Sequence, residues 1–317
     1  MRAVIVAPIP LTGHRSRHHN APRGTALSMV FSESALGMSL EPDRTSRHSL
    51  GIHASPAEVW RALTDPDELV RWFVAEAEVD LKPGGRFRWV FGRGSGDPGP
   101  TPLVTEGECL ALARHETLRL RALIEELETE IEFRIDPWRD GSVLTVTHTG
   151  FPGDEEWDDT FRALDRGWQT ELFVLKIFLE RGRGLSRSAE RHERRLASPP
   201  EDLFDSFTTQ AGLGAWLADR AAIDATPGGE FLLGWNDGVE VRGHVAACDP
   251  DRFLLLTFEA DPPSIVRIHL EADPEDGSVA VTIDHIRFAP SPGGARRYDW
   301  DAALARLEAS LHRGPVV

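Results

Sequence analysis

His148 follows Leu144 and Val146 at alternate positions, and His285 follows Val281 and Ile283 in the same way. Two histidines at equivalent inward positions of two strands are the sharpest polar signal in the 317 residues. An imidazole in the wall of an apolar cavity would hydrogen-bond a ligand or exchange a proton with it, with a pKa open to tuning. The bland alternative is a core histidine satisfied by a carboxylate or a carbonyl. His148 is thus the one candidate for acid–base catalysis, and no catalytic residue is assigned beyond it. Aromatic residues surround both histidines in sequence. Trp72, Phe87, Trp89, Trp157, Phe161 and Trp168 would line a pocket for a polycyclic or acyl ligand, or form plain core. Trp216, Phe231, Trp235 and Trp300 are their candidates in the second half, beside His285. Six of the nine tryptophans lie in the first half, so an open cavity is expected there.

Other chemistries find no support. There is no Gly-x-Ser-x-Gly elbow, no phosphate-binding Walker loop and no His-Glu-x-x-His. Gly92-Arg93-Gly94-Ser95-Gly96 lacks the Lys-Ser/Thr ending of a phosphate loop and reads as a hairpin loop. Glu108, Glu130 and Arg134 sit opposite inward residues and read as a solvated sheet face. The acidic run Glu155, Glu156, Asp158 and Asp159 complements a helix start. Cys109 and Cys248 are too few for a disulfide framework or a four-thiolate zinc site, so two free thiols in a cytoplasmic protein are expected. No metal and no cofactor is called for. A net charge of −16 speaks against a nucleic-acid partner, and no apolar run is long enough for a membrane span.

These residues must be held by elements that can be read from spacing. Trp72 and Trp216 stand 144 residues apart, as do Thr64 and Thr208, and Pro83-Gly84-Gly85 and Pro227-Gly228-Gly229. Gly141-Ser142-Val143 and Trp168 recur as Gly277-Ser278-Val279 and Trp300 at shorter offsets, because the second copy has shorter loops. The chain is a tandem duplication, and its halves are similarly acidic. Ser55-Pro56-Ala57-Glu58 is a capping box that starts a helix, and Ser198-Pro199-Pro200-Glu201 predicts the same in the second copy. Phe87, Trp89 and Phe91 alternate with Arg86 and Arg88, and Ile131, Phe133 and Ile135 with Glu130, Glu132 and Arg134. Such alternation predicts half-buried antiparallel strands. Trp157, Phe161, Leu164, Trp168, Leu172, Leu175 and Leu179 form one helical stripe, and Trp300, Leu304, Leu307 and Leu311 another. Each unit therefore reads as strand, two short helices, about six strands and a long helix. The fold class is α+β: two tandem units, each a curved antiparallel sheet wrapped around a long C-terminal helix.

The motifs Ala54-Ser55-Pro56-Ala57-Glu58-Val59-Trp60, Leu63-Thr64-Asp65-Pro66, Trp72-Phe73, Pro83-Gly84-Gly85, Leu144-Thr145-Val146-Thr147-His148 and Gly167-Trp168 resemble those of a known group. The chain is similar to a tandem member of the SRPBCC (START-like, helix-grip) superfamily. Within it, the first copy is nearest the family of the C-terminal domain of the activator of heat-shock protein 90 ATPase. The second copy departs, with Phe204 for Trp60 and Asp299 for Gly167, and it lacks the Asp-Pro pair. The expected organisation is a disordered tail over 1–45, a first domain over 46–184, a linker over 185–190 and a diverged second domain over 191–317. The resemblance implies a cavity between sheet and long helix for a hydrophobic small molecule, mainly in the first domain. Its members also suggest two rivals: a polyketide aromatase/cyclase-like enzyme that uses His148, and a co-chaperone-like interaction module with a chaperone partner.

Overall fold

The computed structural model of the chain describes residues 44–91, 103–124, 127–182, 186–259, 263–289 and 299–312. The tail expected over 1–45 lies outside the described residues up to position 43, and so does the Gly92–Gly96 loop.

The first unit runs β1 (Arg44–Ile52), α1 (Pro56–Thr64), α2 (Pro66–Trp72), β2 (Glu76–Val79), β3 (Arg86–Phe91), β4 (Leu103–Ala113), β5 (Thr117–Ile124), β6 (Leu127–Trp138), β7 (Gly141–Phe151) and α3 (Asp158–Ile177). A π-helical turn, Phe178–Gly182, extends α3. The capping box forms at α1: the Glu58 N–H donates to Ser55 Oγ, and the Ser55 N–H to Glu58 Oε2 at 2.8 Å. Asp65 caps α2 by accepting from the Asp67 N–H. The seven strands are antiparallel in the order β1-β7-β6-β5-β4-β3-β2. As the alternation predicts, Phe87, Trp89, Phe91, Ile131, Phe133 and Ile135 are buried in the core of the first unit.

The second unit repeats the order: β8 (Ser186–Leu196), α4 (Pro200–Thr208), α5 (Gln210–Trp216), β9 (Arg220–Ile223), β10 (Glu230–Gly234), β11 (Glu240–Asp249), β12 (Phe253–Phe258), β13 (Ser264–Ala272), β14 (Val279–Ala289) and α6 (Trp300–Leu311). Its sheet has the matching order β8-β14-β13-β12-β11-β10-β9. Two sequence expectations need correction here. Residues 186–190, expected as linker, are strand, since β8 pairs with β14 from Ser186 onward. The capping box at Ser198 does not form. Pro200 takes the first helical position, which makes Pro199 the cap, and proline has no side-chain acceptor.

The two units differ in what covers the outside of their sheets. The outer face of the first sheet is a lattice of exposed ion pairs, among them Arg119–Glu130, Arg119–Glu132, Arg121–Glu108 and Arg134–Asp136. Glu108, Glu130 and Arg134 therefore lie on the solvated face, as the alternation requires. The outer face of the second sheet is largely buried and carries an apolar patch beside the buried pairs of Asp284 with Arg191 and Arg267. Phe253, Leu255, Ile265, Ile286 and Phe288 are each at most 1% exposed and belong to the core cluster of the first unit. Leu254, Leu256, Val266 and Ile268 point the other way, into the second unit's own core. Strands buried on both faces lose their alternation, and β12 reads Phe-Leu-Leu-Leu for that reason. The helix α3 thus lies between two sheets, and no residue from Phe161 to Glu180 is fully exposed.

Candidate functional site

The fold brings the expected histidines and tryptophans together, in a packed arrangement. In the first unit Trp168 Nε1–H donates to His148 Nδ1 at 3.0 Å. A histidine whose Nδ1 accepts carries its proton on Nε2, which lies 2.9 Å from Thr129 Oγ1. The threonine hydroxyl donates onward to the Ala122 carbonyl at 3.2 Å. Every nitrogen is engaged, and burial lowers the His148 pKa to about 3. The imidazole is therefore neutral across the physiological range. The second unit repeats the central bond: Trp300 Nε1–H donates to His285 Nδ1 at 3.1 Å. Burial, with Arg287 nearby, lowers the His285 pKa to about 3 as well.

The other nominated aromatics are packed within their own units, fully or half-buried. The Trp72 indole donates to the Ala62 carbonyl and the Trp216 indole to the Ser206 carbonyl, both at 2.9 Å and at positions 144 residues apart. Phe73 stacks between Trp72 and Trp168, while Phe87 and Trp89 pack on each other. The Trp89 indole nitrogen is buried without a hydrogen-bond partner among the described residues. Phe231 meets Phe258 edge-on, and half-buried Trp235 donates to the Leu217 carbonyl. Trp157 precedes α3 and is half-buried. Phe161 is half-buried and packs on Phe151 at the N-terminal end of α3.

Of these residues, Phe161 also faces a different hollow. A cavity of about 410 Å³ lies at the seam, between β1 and α3 of the first unit and β11, β12 and the Pro227 turn of the second. The pairing of β11 with β12 slips between Val245 and Ala247, so Ala246 bulges from the ladder. Ala246 and Ala247 line the cavity beside this break in the ladder. Leu50, Phe161, Leu172, Phe173 and Phe253 supply the apolar walls. His48, Arg162, Asp165, Arg166, Gln169 and Asp249 supply the polar groups.

Those polar groups are mostly matched within the protein. His48 Nε2 and Ser46 Oγ each lie 2.7 Å from Asp165 Oδ1. Burial pushes the Asp165 carboxyl up, but the bonds from His48 and Ser46 outweigh it and hold the pKa below the usual range. Arg166 pairs with Asp249 and sits 5.4 Å from the centre of the Phe253 ring, a cation–π distance. Arg162 pairs with Asp158 and Asp159. Cys248 also lines the cavity, and burial raises its thiol pKa, so it is not an activated nucleophile. Cys109 is buried in the first core with its pKa raised likewise. Among the described residues no cluster of three or more His, Cys, Asp or Glu side chains is placed to hold a metal ion. No described helix is long and apolar enough to cross a membrane.

Beside the cavity the seam holds buried ion pairs. Glu171 of α3 meets Arg187 of β8 through two bonds of 2.8 and 2.9 Å, and Arg187 also donates to the Trp72 carbonyl. Asp284, fully buried, accepts from Arg191 at 2.7 Å and from Arg267 at 2.7 Å. Burial alone would raise the Asp284 pKa, but the two guanidinium groups hold it low.

A sequence profile described as Activator of Hsp90 ATPase homolog 1-like protein matches residues 53–180 and again 197–312. The chain belongs to this family. It is a tandem, helix-grip member, with one family unit in each half. CalU16 from Micromonospora echinospora is similar at 26% identity over 44% of this chain and 78% of that one, with a TM-score of 0.34. The Aha1 dimer from Colwellia psychrerythraea is 20% identical over 44% of this chain and 98% of that one, at 0.37. The di-domain ARO/CYC BexL from the BE-7585A biosynthetic pathway is 17% identical over 86% of this chain and all of that one, at 0.37. No curated protein matches the chain.

The two family units share a feature that the motifs did not single out. His48 in β1 bonds Asp165 of α3, and His192 in β8 bonds Asp301 of α6 at 2.8 Å. His48 and His192 stand 144 residues apart, the offset of the tandem repeat, so the spacing alone could have found them. Each pair ties the first strand of a family unit to its closing helix. Only the first pair faces the seam cavity.

Proposed function

We propose that this chain binds a hydrophobic or aromatic small molecule without transforming it, and that the molecule sits at the seam between α3 and the second sheet. The reading keeps the expected pairing of a long helix with a sheet but moves the site from the inside of one unit to the junction of two. The cavity of about 410 Å³ carries it, being within the range of small-molecule sites, walled by phenylalanines and edged by a few polar groups. Catalysis by His148 draws no support from a neutral imidazole whose nitrogens both have partners. The remaining nominated residues, from Trp72 to Trp168 and from Trp216 to Trp300, serve in this proposal as the packed frame. No observation favours a chaperone-directed role.

The test uses prodan, a neutral naphthalene dye whose emission shifts to the blue in an apolar site. The wild-type chain is expected to bind it saturably. Ala246→Trp, which fills the cavity from the bulge, should weaken binding at least tenfold without lowering the melting temperature. Thr129→Val, which alters the His148 core, should leave prodan affinity within twofold. Equal binding by wild type and Ala246→Trp would place the dye elsewhere and sink the proposal.

A further inference from the structure

We infer that the seam cavity selects a neutral aromatic molecule that carries a hydroxyl group. This rests on the seam reading and narrows it to a class. Each charge around the cavity already has an opposite number. Asp165 accepts from Ser46 and His48, Arg166 is held by Asp249, and Arg162 is held by Asp158 and Asp159. A charged ligand would give up its hydration there without gaining a free counter-ion, a poor exchange in a partly dry site.

The hydrogen-bonding capacity that remains lies on His48 and Gln169. The Asp165 carboxylate takes the Nε2–H of His48, which leaves Nδ1 as the ring's remaining hydrogen-bonding position. Nδ1 has no hydrogen-bond partner among the described residues, and neither has the side-chain amide of Gln169. Both residues line the cavity. An imidazole nitrogen donates or accepts according to its proton, and an amide can give or take. A hydroxyl group satisfies both, since it donates once and accepts as well. Phe161, Phe173 and Phe253 provide the flat apolar surface on which a ring system would lie. Asp165 then acts as a positioning residue, because it fixes which nitrogen of His48 carries the proton.

Isothermal titration of the full chain with naphthalene, 2-naphthol and 2-naphthoate near pH 7 tests the class. 2-Naphthol is expected to bind at least tenfold more tightly than either of the others. His48→Leu should remove that preference and leave naphthalene affinity within twofold. Gln169→Met, which leaves the His48–Asp165 bond intact, should reduce the preference severalfold with the melting temperature unchanged, so a folding defect in His48→Leu would not decide the matter. If naphthalene matches 2-naphthol, the hydroxyl class is wrong while the seam site stands. If 2-naphthoate binds best, the cavity holds a free cation and the inference is overturned. If no probe binds, or all bind Ala246→Trp as they bind wild type, the seam reading fails with it.

Discussion

Lowering the pH from 7 to 5 should destabilise this protein through its buried histidines, His148 and His285 among them. His148 and His285 are held neutral in the folded chain, with pKa values lowered from 6.5 to about 3. In the unfolded chain both would titrate near the ordinary histidine value. Between these limits the unfolded state binds more protons, so stability falls as the pH falls. At pH 5 the loss is about 2 kcal/mol for each histidine, or roughly 4 kcal/mol for both, at 1.36 kcal/mol per unit. The buried carboxyls are separable. Asp165 and Asp284 have lowered folded values, so their contribution persists above the unfolded carboxylate range and is lost only in stronger acid. Glu171 is pushed up by burial against the pull of Arg187, and its contribution has the opposite sign. Urea unfolding followed by tryptophan fluorescence at pH 7 and pH 5 measures the loss, and His148→Gln with His285→Gln isolates its source. Glutamine keeps an acceptor for the Trp168 and Trp300 indoles but cannot take up the proton. Each substitution should cut the acid loss by about 2 kcal/mol, and the double variant should keep only a smaller loss, because burial also holds His269 well below the ordinary histidine value. An acid loss that is the same in wild type and double variant would refute the neutral-core assignment.

The seam makes two further predictions. Arg187→Ala strands the buried Glu171 carboxylate and should cost about 3–5 kcal/mol in urea unfolding, whereas Arg119→Ala on the exposed face of the first sheet should cost less than about 1 kcal/mol; equal costs would show that Glu171 is not held as described. The second unit expressed alone, from residue 186 onward, would expose Phe253, Leu255, Ile265, Ile286 and Phe288; it should self-associate in sedimentation velocity, and a stable monomer would show that this face needs no cover.

Much of the fold was legible because local rules and the duplication agree. Trp72 and Trp216 share an offset and donate to carbonyls that share it too. Phe87, Trp89 and Phe91 alternate because only one face of the first sheet is buried. The site was less legible, for a physical reason. Alternation and helical stripes report what each element buries against its own unit. They carry no separate mark for burial against the other unit. The mark was present as a loss of pattern, in Phe253-Leu254-Leu255-Leu256 and in Ile265-Val266, where both faces are covered. His48 and Asp165 escaped notice because neither stands in a motif, although His192 repeats His48 at the tandem offset. Conversely, His148 stood out by type and position, and its partners Trp168 and Thr129 make it a satisfied core residue.

The duplication and the cavity are connected through the outer face of one sheet. His148 lies opposite Ile131 in the ladder and His285 opposite Val266, so the two sheets can be aligned strand by strand. On that alignment Glu130, Glu132 and Arg134 of the first unit correspond to Ile265, Arg267 and His269 of the second. Two equal copies would each present a charged sheet to water and a helix with one uncovered side. Replacing the charged row by Ile265, and enclosing Arg267 with Asp284, turns the second sheet into a cover for α3. Phe173 and Phe161 line the cavity on the helix side. The cavity lies in this cover, beside the Ala246 bulge. A site of this kind cannot exist in one unit, because its walls come from the helix of one copy and the sheet of the other. If the seam is where the ligand binds, the tandem arrangement is a condition of binding and not merely a doubling of it.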